Sequence, residues 1–367
     1  MINSSVTDIP RAFTWKGDHL LLLDQTRLPL HQEWLRLENL EEVCEAIKML
    51  RVRGAPAIGV AAAYGAALEI RRIYGAEPAN AALNADRWLH RFRQITATLR
   101  STRPTAVNLF HCMDRMDRIA GEIALDWKDQ FEPIRAAERM EEEAIAIHSE
   151  DENLCSAIGG FGSTLIPDGA SVLTHCNTGS LATGGIGTAL GAIYTAHLQG
   201  KRLSVFADET RPLLQGGRIT AWELFEAGIP VRLITDSMAA SVMARGEVDL
   251  ILVGADRIAS NGDTANKIGT MPLAVLARHF GVPFYVVAPT TTLDPSMDSG
   301  ATIEIEERDP DEVRKFQGNF SAPPEVEVFN PAFDVTPGDL ISGIVTEKGI
   351  HRPPYDFRAL MAQGQPK

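Results

Sequence analysis

Three short segments gather side chains able to do acid–base or nucleophilic chemistry, and each follows a run that reads as a β-strand. The first is Thr174-His175-Cys176-Asn177-Thr178-Gly179-Ser180, set between an apolar run at 171–175 and a helical pattern over 180–198. A thiol beside a helix N-terminus feels the positive end of the dipole, which favours thiolate, and the unpaired amides there suit a phosphate or an oxyanion. A lone cysteine is also commonly a small buried hydrophobe, and this segment alone leaves both readings open. The second is Val253-Gly254-Ala255-Asp256-Arg257-Ile258. An acid directly after an apolar strand is placed for general acid–base work or a metal, although a turn or helix cap uses the same residue. The continuation, Asn261 to Thr270, is dense in amide, acid and amine groups. It puts Asn266 and Lys267 at the start of a predicted helix over 265–280. A lysine there opposes the helix dipole, which makes sense if it serves a ligand. The third is Ala207-Asp208-Glu209-Thr210-Arg211-Pro212, followed by Gln215-Gly216-Gly217-Arg218. Its donors and acceptors are what sugar recognition requires; a solvated loop with an internal ion pair would have the same composition.

Two basic loops lie nearer the N-terminus, Arg51-Val52-Arg53-Gly54-Ala55-Pro56 and Ser101-Thr102-Arg103-Pro104-Thr105-Ala106. In each an arginine precedes a helix start. A guanidinium fork beside unpaired helix amides makes a phosphate clamp, whereas a single such arginine is an ordinary surface charge or inter-helix tie.

The elements that must position these segments fall into two parts. Up to about residue 150 the pattern is helical, with apolar spacing over 40–50, 57–74, 79–100, 106–128 and 131–149, preceded by a short β-like run at Leu20–Leu23. Gly54 and Pro56 end the first helix and open the next. Beyond 150, β-branched runs at 171–175, 203–207, 231–235, 250–253 and 284–288 alternate with helical ones at 180–198, 220–227, 237–245 and 265–280. That order predicts a parallel sheet covered on both faces, with ligands at the carboxyl ends of its strands. The expected fold is therefore α/β, with a mainly helical domain over 1–150 and a Rossmann-like catalytic domain over 151–367. The Pro-rich stretch at 322–337 and the tail after Arg352 read as loops and an extended terminus.

Composition narrows the function. The 367 residues are 45% hydrophobic and 23% charged, ordinary for a folded soluble protein. Thirty-five Lys and Arg against 48 Asp and Glu give a net charge of −13, with no basic run to follow a nucleic-acid backbone. A small phosphorylated ligand needs only one or two local cations. The cysteines, Cys44, Cys112, Cys155 and Cys176, form no C-x-x-C pair and read as thiols of a reduced, cytoplasmic protein. The first residues lack the basic start and apolar core of a signal peptide, and no stretch approaches a membrane span. The nine histidines have no zinc-ligand spacing, and neither a P-loop nor Gly-x-Ser-x-Gly is present. Gly185-x-Gly187-x-x-x-Gly191 resembles an NADP-type glycine pattern, but these glycines are predicted inside a helix rather than in the strand–helix turn.

Taken together, the segments LLLDQTRLPL, RVRGAPAIGVAAAYG, STRPTAVNL, LTHCNTGSLAT, DETRPLLQGGRITAWEL, DSMAA, VGADRIASNGDTANKIGT and NPAFDVTPGDLISGIVTE resemble the methylthioribose-1-phosphate isomerase family. Its superfamily also holds ribose-1,5-bisphosphate isomerase and the regulatory subunits of the translation-initiation exchange factor. They run in family order from residue 20 to about 347. The resemblance implies a homodimer that converts S-methyl-5-thio-ribose 1-phosphate to S-methyl-5-thio-ribulose 1-phosphate in methionine salvage, without metal or nucleotide cofactor. It implies Asp256 as acid and proton donor, with Cys176 assisting. It implies Arg53, Gly54, Ala55 and Arg103 at the phosphate, and Gln215, Asn266 and Lys267 at sugar oxygens or phosphate. Retention of Cys176, Asp256 and Asn266-Lys267 favours an isomerase over a non-catalytic regulatory subunit. Thr178 and Ser180 stand where the family pattern has smaller residues, and Met271 where it has tyrosine. These departures leave open a 5-deoxy sugar or a second phosphate in place of the methylthio group.

Overall fold

The computed structural model describes residues 9–74, 84–104, 106–127 and 131–363. The predicted positions 79–83 and 128, together with Thr105 and the residues before 9 and after 363, lie outside them. The chain divides into two compact units, one built from Arg11–Asn153 with Ser180–Gly185, the other centred on Leu154–Gly179 and Ile186–Lys367. The sequence reading placed its cut at 150 and did not foresee that six residues beyond Gly179 belong with the first unit.

The first unit opens with an antiparallel sheet of β1 (Phe13–Trp15), β2 (Leu20–Leu23) and β3 (Trp34–Leu37). The helices α1 (Leu40–Lys48), α2 (Ala55–Tyr74), α3 (Ala85–Arg100) and α4 (Val107–Asp126) follow. Asn39 and Asn84 cap α1 and α3 by accepting from the amides of Glu42 and Arg87. α2 is buried almost all round, as its Ala- and Gly-rich sequence requires. Gly59 lets it close on α4, since a Cβ there would stand 2.8 Å from Cys112 Sγ and 3.0 Å from the Asn108 carbonyl oxygen. The long helix α5 (Pro133–Ser163) continues past the predicted end at 149.

In the other unit, β4 (Ala170–Thr174), α6 (Ala189–Leu198), β5 (Leu203–Asp208), α7 (Ala221–Glu226), β6 (Val231–Ile234), α8 (Ala239–Ala244) and β7 (Leu250–Val253) alternate as predicted. Next come a small hairpin, β8 (Arg257–Ala259) and β9 (Thr264–Lys267), then α9 (Thr270–Phe280) and β10 (Phe284–Val287). Short strands β11 (Leu293–Asp294), β12 (Lys315–Phe316) and β13 (Asn319–Phe320) precede β14 (Phe333–Thr336), β15 (Gly343–Thr346) and β16 (Gly349–His351). Among the described residues the main sheet has the order β16-β15-β10-β7-β4-β5-β6 and is parallel except for β16. Adjacent residues of a strand feed opposite cores. Val172 and Val205 pack with Ile193 and Leu224, while Leu173 and Phe206 pack with Val242 and Leu273. From β4 the chain winds outward through β5 and β6, then returns to the other side of β4 and winds outward through β7, β10 and β15. The direction reverses between β4 and β7, where a doubly wound sheet opens a crevice at its strand ends.

Five expectations are corrected. The helix after Cys176 begins at Ala189, not 180, so Cys176 does not sit at a helix N-terminus. Gly187 explains part of this: its φ is +89°, and a Cβ would come within 2.5 Å of the Gly179 backbone, to which it pairs as an isolated bridge. Gly185 and Gly187 therefore lie in the connection and not inside the helix. Residues 175–188 still separate β4 from α6, far too many for the tight dinucleotide turn. Asn266 and Lys267 lie on β9, because Thr264–Lys267 pairs with β14, a partner distant in sequence. That pairing also puts a strand inside the Pro-rich stretch at 322–337. Finally, the tail after Arg352 contains a helix, Phe357–Gln363.

Candidate active site

The crevice between β4 and β7 is where Cys176 and Asp256 emerge, each just beyond the carboxyl end of its strand. Their loops touch. Gly254, which follows β7, faces Thr178 so closely that a Cβ there would lie 2.4 Å from the threonine methyl. Asp256 is exposed, and its amide donates to the Ala265 carbonyl at 2.9 Å. The β8–β9 pairing sets Arg257 opposite Ala265, so Asn266 and Lys267 lie next to Asp256 across the hairpin. Asn266 is buried and donates to Thr270 Oγ1 at 2.9 Å, while the Lys267 ammonium stands 4.4 Å over the ring of Phe333.

Cys176 is buried and adopts φ +61°, the left-handed region that non-glycine residues visit only when their surroundings hold them there. The restraint is visible. Its amide donates to Thr210 Oγ1 at 2.8 Å, and its carbonyl accepts from Thr220 Oγ1 at 2.6 Å. Asn177 donates to Thr220 Oγ1 and to Glu223, which is fully buried and also accepts from Tyr194. Thr210, beyond β5, has φ +64°. Gln215 stands farther along the same loop. Gly216 turns the chain so closely over the strand end that a Cβ would overlap the Asp208 carbonyl. Gln215 is buried, and its side-chain oxygen has no hydrogen-bond partner among the described residues. A buried acceptor in that state suits a hydroxyl group from outside the protein.

His175 lies beneath this loop, fully buried. Its Nδ1 is 3.0 Å from Asp208 Oδ2, and its Nε2 is 2.9 Å from the Ile268 carbonyl oxygen. A carbonyl only accepts, so Nε2 carries a proton. Burial works against a charge on the ring, but the bond to Asp208 and the carboxylates of Asp208 and Asp236 outweigh it. His175 therefore keeps its proton above the ordinary histidine range. Burial likewise pushes Asp208 up against the opposing pull of His175. The two hold one proton tightly between them. His175, Asp208 and Asp236 converge closely enough to suggest a metal site. However, both oxygens of Asp236 accept backbone amides, those of Thr210 and Arg211, at 2.8 Å. With His175 bonded on both nitrogens as well, the cluster is a proton-holding network more than a vacant ligand set.

In the first unit, Arg53 and Gly54 immediately precede α2, and Ala55 is its first residue. Gly54 has φ +89° and lies against Ala182, whose carbonyl would be 2.4 Å from a Cβ. Gln25 donates to the neighbouring Leu181 carbonyl at 2.8 Å, and Asp151 accepts from the Gly184 amide at 2.6 Å. Arg51 is bonded to Asp24 and Glu45. Arg103 precedes α4, whose first turn has no acidic residue and whose cap position, Ala106, supplies no side-chain bond. The Gly59–Asn108 approach joins α2 and α4 near their N-termini, which places Arg53 and Arg103 at the same end of that helix pair. The remaining cysteines have no such setting. Cys44 and Cys112 sit on helices, burial raises both, Cys112 to about 12, and none of the four is disulfide-bonded.

Sequence reasoning did not single out Asp236, Glu223, Thr220 or Asp334 as parts of the site. Asp236 and Asp334 fall inside quoted motifs, DSMAA and NPAFDV, but their role as amide acceptors needs the fold to be seen.

The chain matches the Initiation factor 2 subunit family over residues 51–353. It is 52% identical over 354 residues to a methylthioribose-1-phosphate isomerase of Heliobacterium modesticaldum, covering 96% of this chain and 99% of that one. It is also 52% identical over 357 residues to the Geobacter sulfurreducens protein of the same name, with 96% and 99% covered. Among solved structures it is similar to 5-methylthioribose 1-phosphate isomerase from Pyrococcus horikoshii OT3, with TM-score 0.88, 41% identity, and 97% and 96% of the two chains covered. It is similar also to a structure described as translation initiation factor eIF-2B, subunit delta, from A. fulgidus, with TM-score 0.86, 42% identity, and 96% and 99% covered.

Proposed function

The chain belongs to the methylthioribose-1-phosphate isomerases within the Initiation factor 2 subunit family, and from that premise we propose how its residues carry out the reaction. The protein is an aldose–ketose isomerase that converts S-methyl-5-thio-ribose 1-phosphate to S-methyl-5-thio-ribulose 1-phosphate in methionine salvage. The observation that supports the site assignment best is the emergence of Cys176 and Asp256 in touching loops where the sheet reverses direction.

The phosphate on C1 locks the substrate as an acetal-like ring, so no free aldehyde is available. The bond from C1 to the ring oxygen must break, the ring oxygen must take a proton, a hydrogen must pass from C2 to C1, and the C2 hydroxyl must give up its proton as it becomes the ketone, which replaces the proton the ring oxygen consumed. C1 is reduced as C2 is oxidised, so the electron balance closes within the sugar and requires no external oxidant. Asp256 serves as the proton donor, its exposure in the strand-end loop leaving it able to recharge from solvent. Cys176, held rigidly in a buried loop, assists at C1 and C2, stabilising the transition state at fixed distance. Gln215 accepts from a sugar hydroxyl, and Asn266 and Lys267 hold sugar oxygens or the phosphate. In the first unit, Arg53, Gly54, Ala55 and Arg103 offer guanidinium groups and helix-start amides of the kind that bind a phosphate. The hydrogen moves either as a proton through an enediolate or as a hydride.

The protein works in the cytoplasm as a homodimer. Thiols without disulfides fit a reducing compartment. The edge strand β6 presents exposed Leu233, with exposed Phe225 on the preceding helix and Met238 just after the strand, apolar surface of the kind a second copy covers.

An NMR assay with 5-methylthioribose 1-phosphate, 5-deoxyribose 1-phosphate and ribose 1,5-bisphosphate in parallel tests the reading. Turnover of the methylthio sugar well above the other two is expected. Comparable rates on all three would defeat the substrate assignment, and binding without product would point instead to a regulatory subunit. In deuterated water, solvent deuterium at C1 marks the enediolate route and its absence the hydride shift.

A further inference from the structure

The reaction as assigned uses Cys176, Asn266 and Lys267 but gives no task to the fully buried histidine that adjoins the first and touches the loop of the other two. His175 precedes Cys176 in the chain. Its Nδ1 faces Asp208 at the end of β5, and its Nε2 faces the carbonyl of Ile268, the residue after Lys267. The fit is shaped from both sides. Gly269 lies flat against the ring with φ +104°, and a Cβ there would stand 2.8 Å from His175 Cε1. Asp334, on β14, accepts from the Gly269 and Met271 amides at 2.8 and 3.1 Å and fixes the far side of the same turn.

We infer that His175 is a positioning residue for the isomerase reaction: a doubly protonated imidazole that ties the Cys176 loop to the Asn266–Lys267 strand and so sets the distance between them. Nε2 must donate, since Ile268 offers only a carbonyl, and in the bridge Nδ1 donates to an ionised Asp208. Three carboxyl groups face the ring, Asp208 from β5, Asp236 from the turn after β6 and Asp334 from β14. A neutral ring would leave the buried Asp208 without the cation bonded to it. The charge is thus part of the structure and not a switch of the catalytic cycle. The tie orients groups that meet the substrate without meeting it itself, like a histidine's orienting partner in a metal site, where loss costs roughly 10–100-fold.

The kinetic part of this inference rests on the isomerase reading; the protonation state does not. Two variants separate the ring's two bonds. In His175→Gln the amide nitrogen reaches the position of Nε2 and keeps the bond to Ile268. In His175→Asn it reaches only the position of Nδ1 and keeps the bond to Asp208. We expect kcat to fall roughly 10–100-fold in both, KM to stay within about twofold in the Gln variant, and KM to rise about tenfold in the Asn variant as Lys267 is released. Equal KM in the two, or kcat near wild type in either, would overturn the tie. A general packing role lowers both alike and gives no such split. In parallel, a nitrogen-15 NMR titration of the histidine rings in the full-length protein should show His175 keeping both ring protons to a higher pH than an exposed histidine, and losing the second at lower pH in Asp208→Asn. A wild-type ring that loses its second proton no later than an exposed histidine overturns the inference even if either substituted protein fails to fold. Should no sugar phosphate turn over, the isomerase reading fails, and the NMR result still decides for or against the charged bridge.

Discussion

The two strand ends proposed to carry the chemistry are built in opposite ways. Cys176 is buried, left-handed in φ and bound at its amide and its carbonyl by Thr210 and Thr220, while its chain neighbours Asn177 and His175 are bonded to Glu223 and Asp208. Asp256 is exposed and joined to its hairpin through its own amide, at a turn with no positive φ. The difference suits the two tasks. A group that stabilises charge at a reacting carbon works best when it needs no reorganisation, and strained backbone with many ties supplies that. A group that hands over a proton must regain it, and an exposed carboxyl does so directly from water.

Removing the proton donor is the most direct way to break this comparison. Asp256→Asn keeps the shape of an exposed side chain, so stability should change by less than about 0.5 kcal/mol while turnover falls by roughly 10²–10⁴-fold, the range of a lost general acid. Steady-state kinetics together with a denaturation curve read both. A variant with more than a tenth of wild-type kcat would remove Asp256 from the donor role. Cys176→Ser should also cost turnover, by roughly 10²-fold as for one lost stabilising contact. It should leave the fold intact, because serine fills nearly the same volume and the backbone ties remain. Unchanged kcat in this variant would return Cys176 to a small buried side chain.

Next in size is a change that touches neither group. Thr220→Val keeps the volume of a fully buried side chain but deletes the hydroxyl that donates to the Cys176 carbonyl and accepts from Asn177. It should cost about 1–3 kcal/mol in stability, the penalty of a buried acceptor left without its donor, together with a smaller loss of turnover than Cys176→Ser. Full activity and stability in the valine variant would mean that the Cys176 loop holds its left-handed turn without this bond.

How much of this was legible from the residues follows the range of the forces involved. The parallel strands were readable because each is a local apolar run bounded by turns, and their ends located Cys176, Asp208 and Asp256 correctly. Both misplaced helix starts trace to non-local contacts. Asn266 and Lys267 looked like the first turn of a helix until β14, far along the chain, paired with them. The segment after Cys176 looked helical until Gly187 bridged back to Gly179. As a result the dipole argument for Cys176 and the opposed-dipole argument for Lys267 both fail, while the residues they singled out remain in the candidate site, beyond β4 and on β9. The orienting shell was the least legible part. Thr220 and Glu223 read as ordinary members of an amphipathic helix, and nothing local marks Asp236 as the acceptor for two amides of a different loop.

The smallest expected effect concerns pH and sharpens the contrast between the buried and the exposed end. The His175–Asp208 pair holds its shared proton to a higher pH than a solvent-exposed histidine does. Between the unfolded-state value near 6.5 and the raised native value, the folded protein binds more protons than the unfolded one, so stability must fall as pH rises through that interval. The contribution is complete below about pH 6.5 and lost once the native pair gives up its proton. Asp256, exposed at the other strand end, is not part of this pair. Denaturation curves from pH 6 to 9 should therefore show a downward trend in wild type and a flatter one in Asp208→Asn, where the histidine has lost the carboxylate that retained its proton. The Asp256→Asn variant should follow the wild-type curve. Parallel curves for wild type and Asp208→Asn would place the proton-holding groups elsewhere and would remove the charged bridge from the buried end of the comparison.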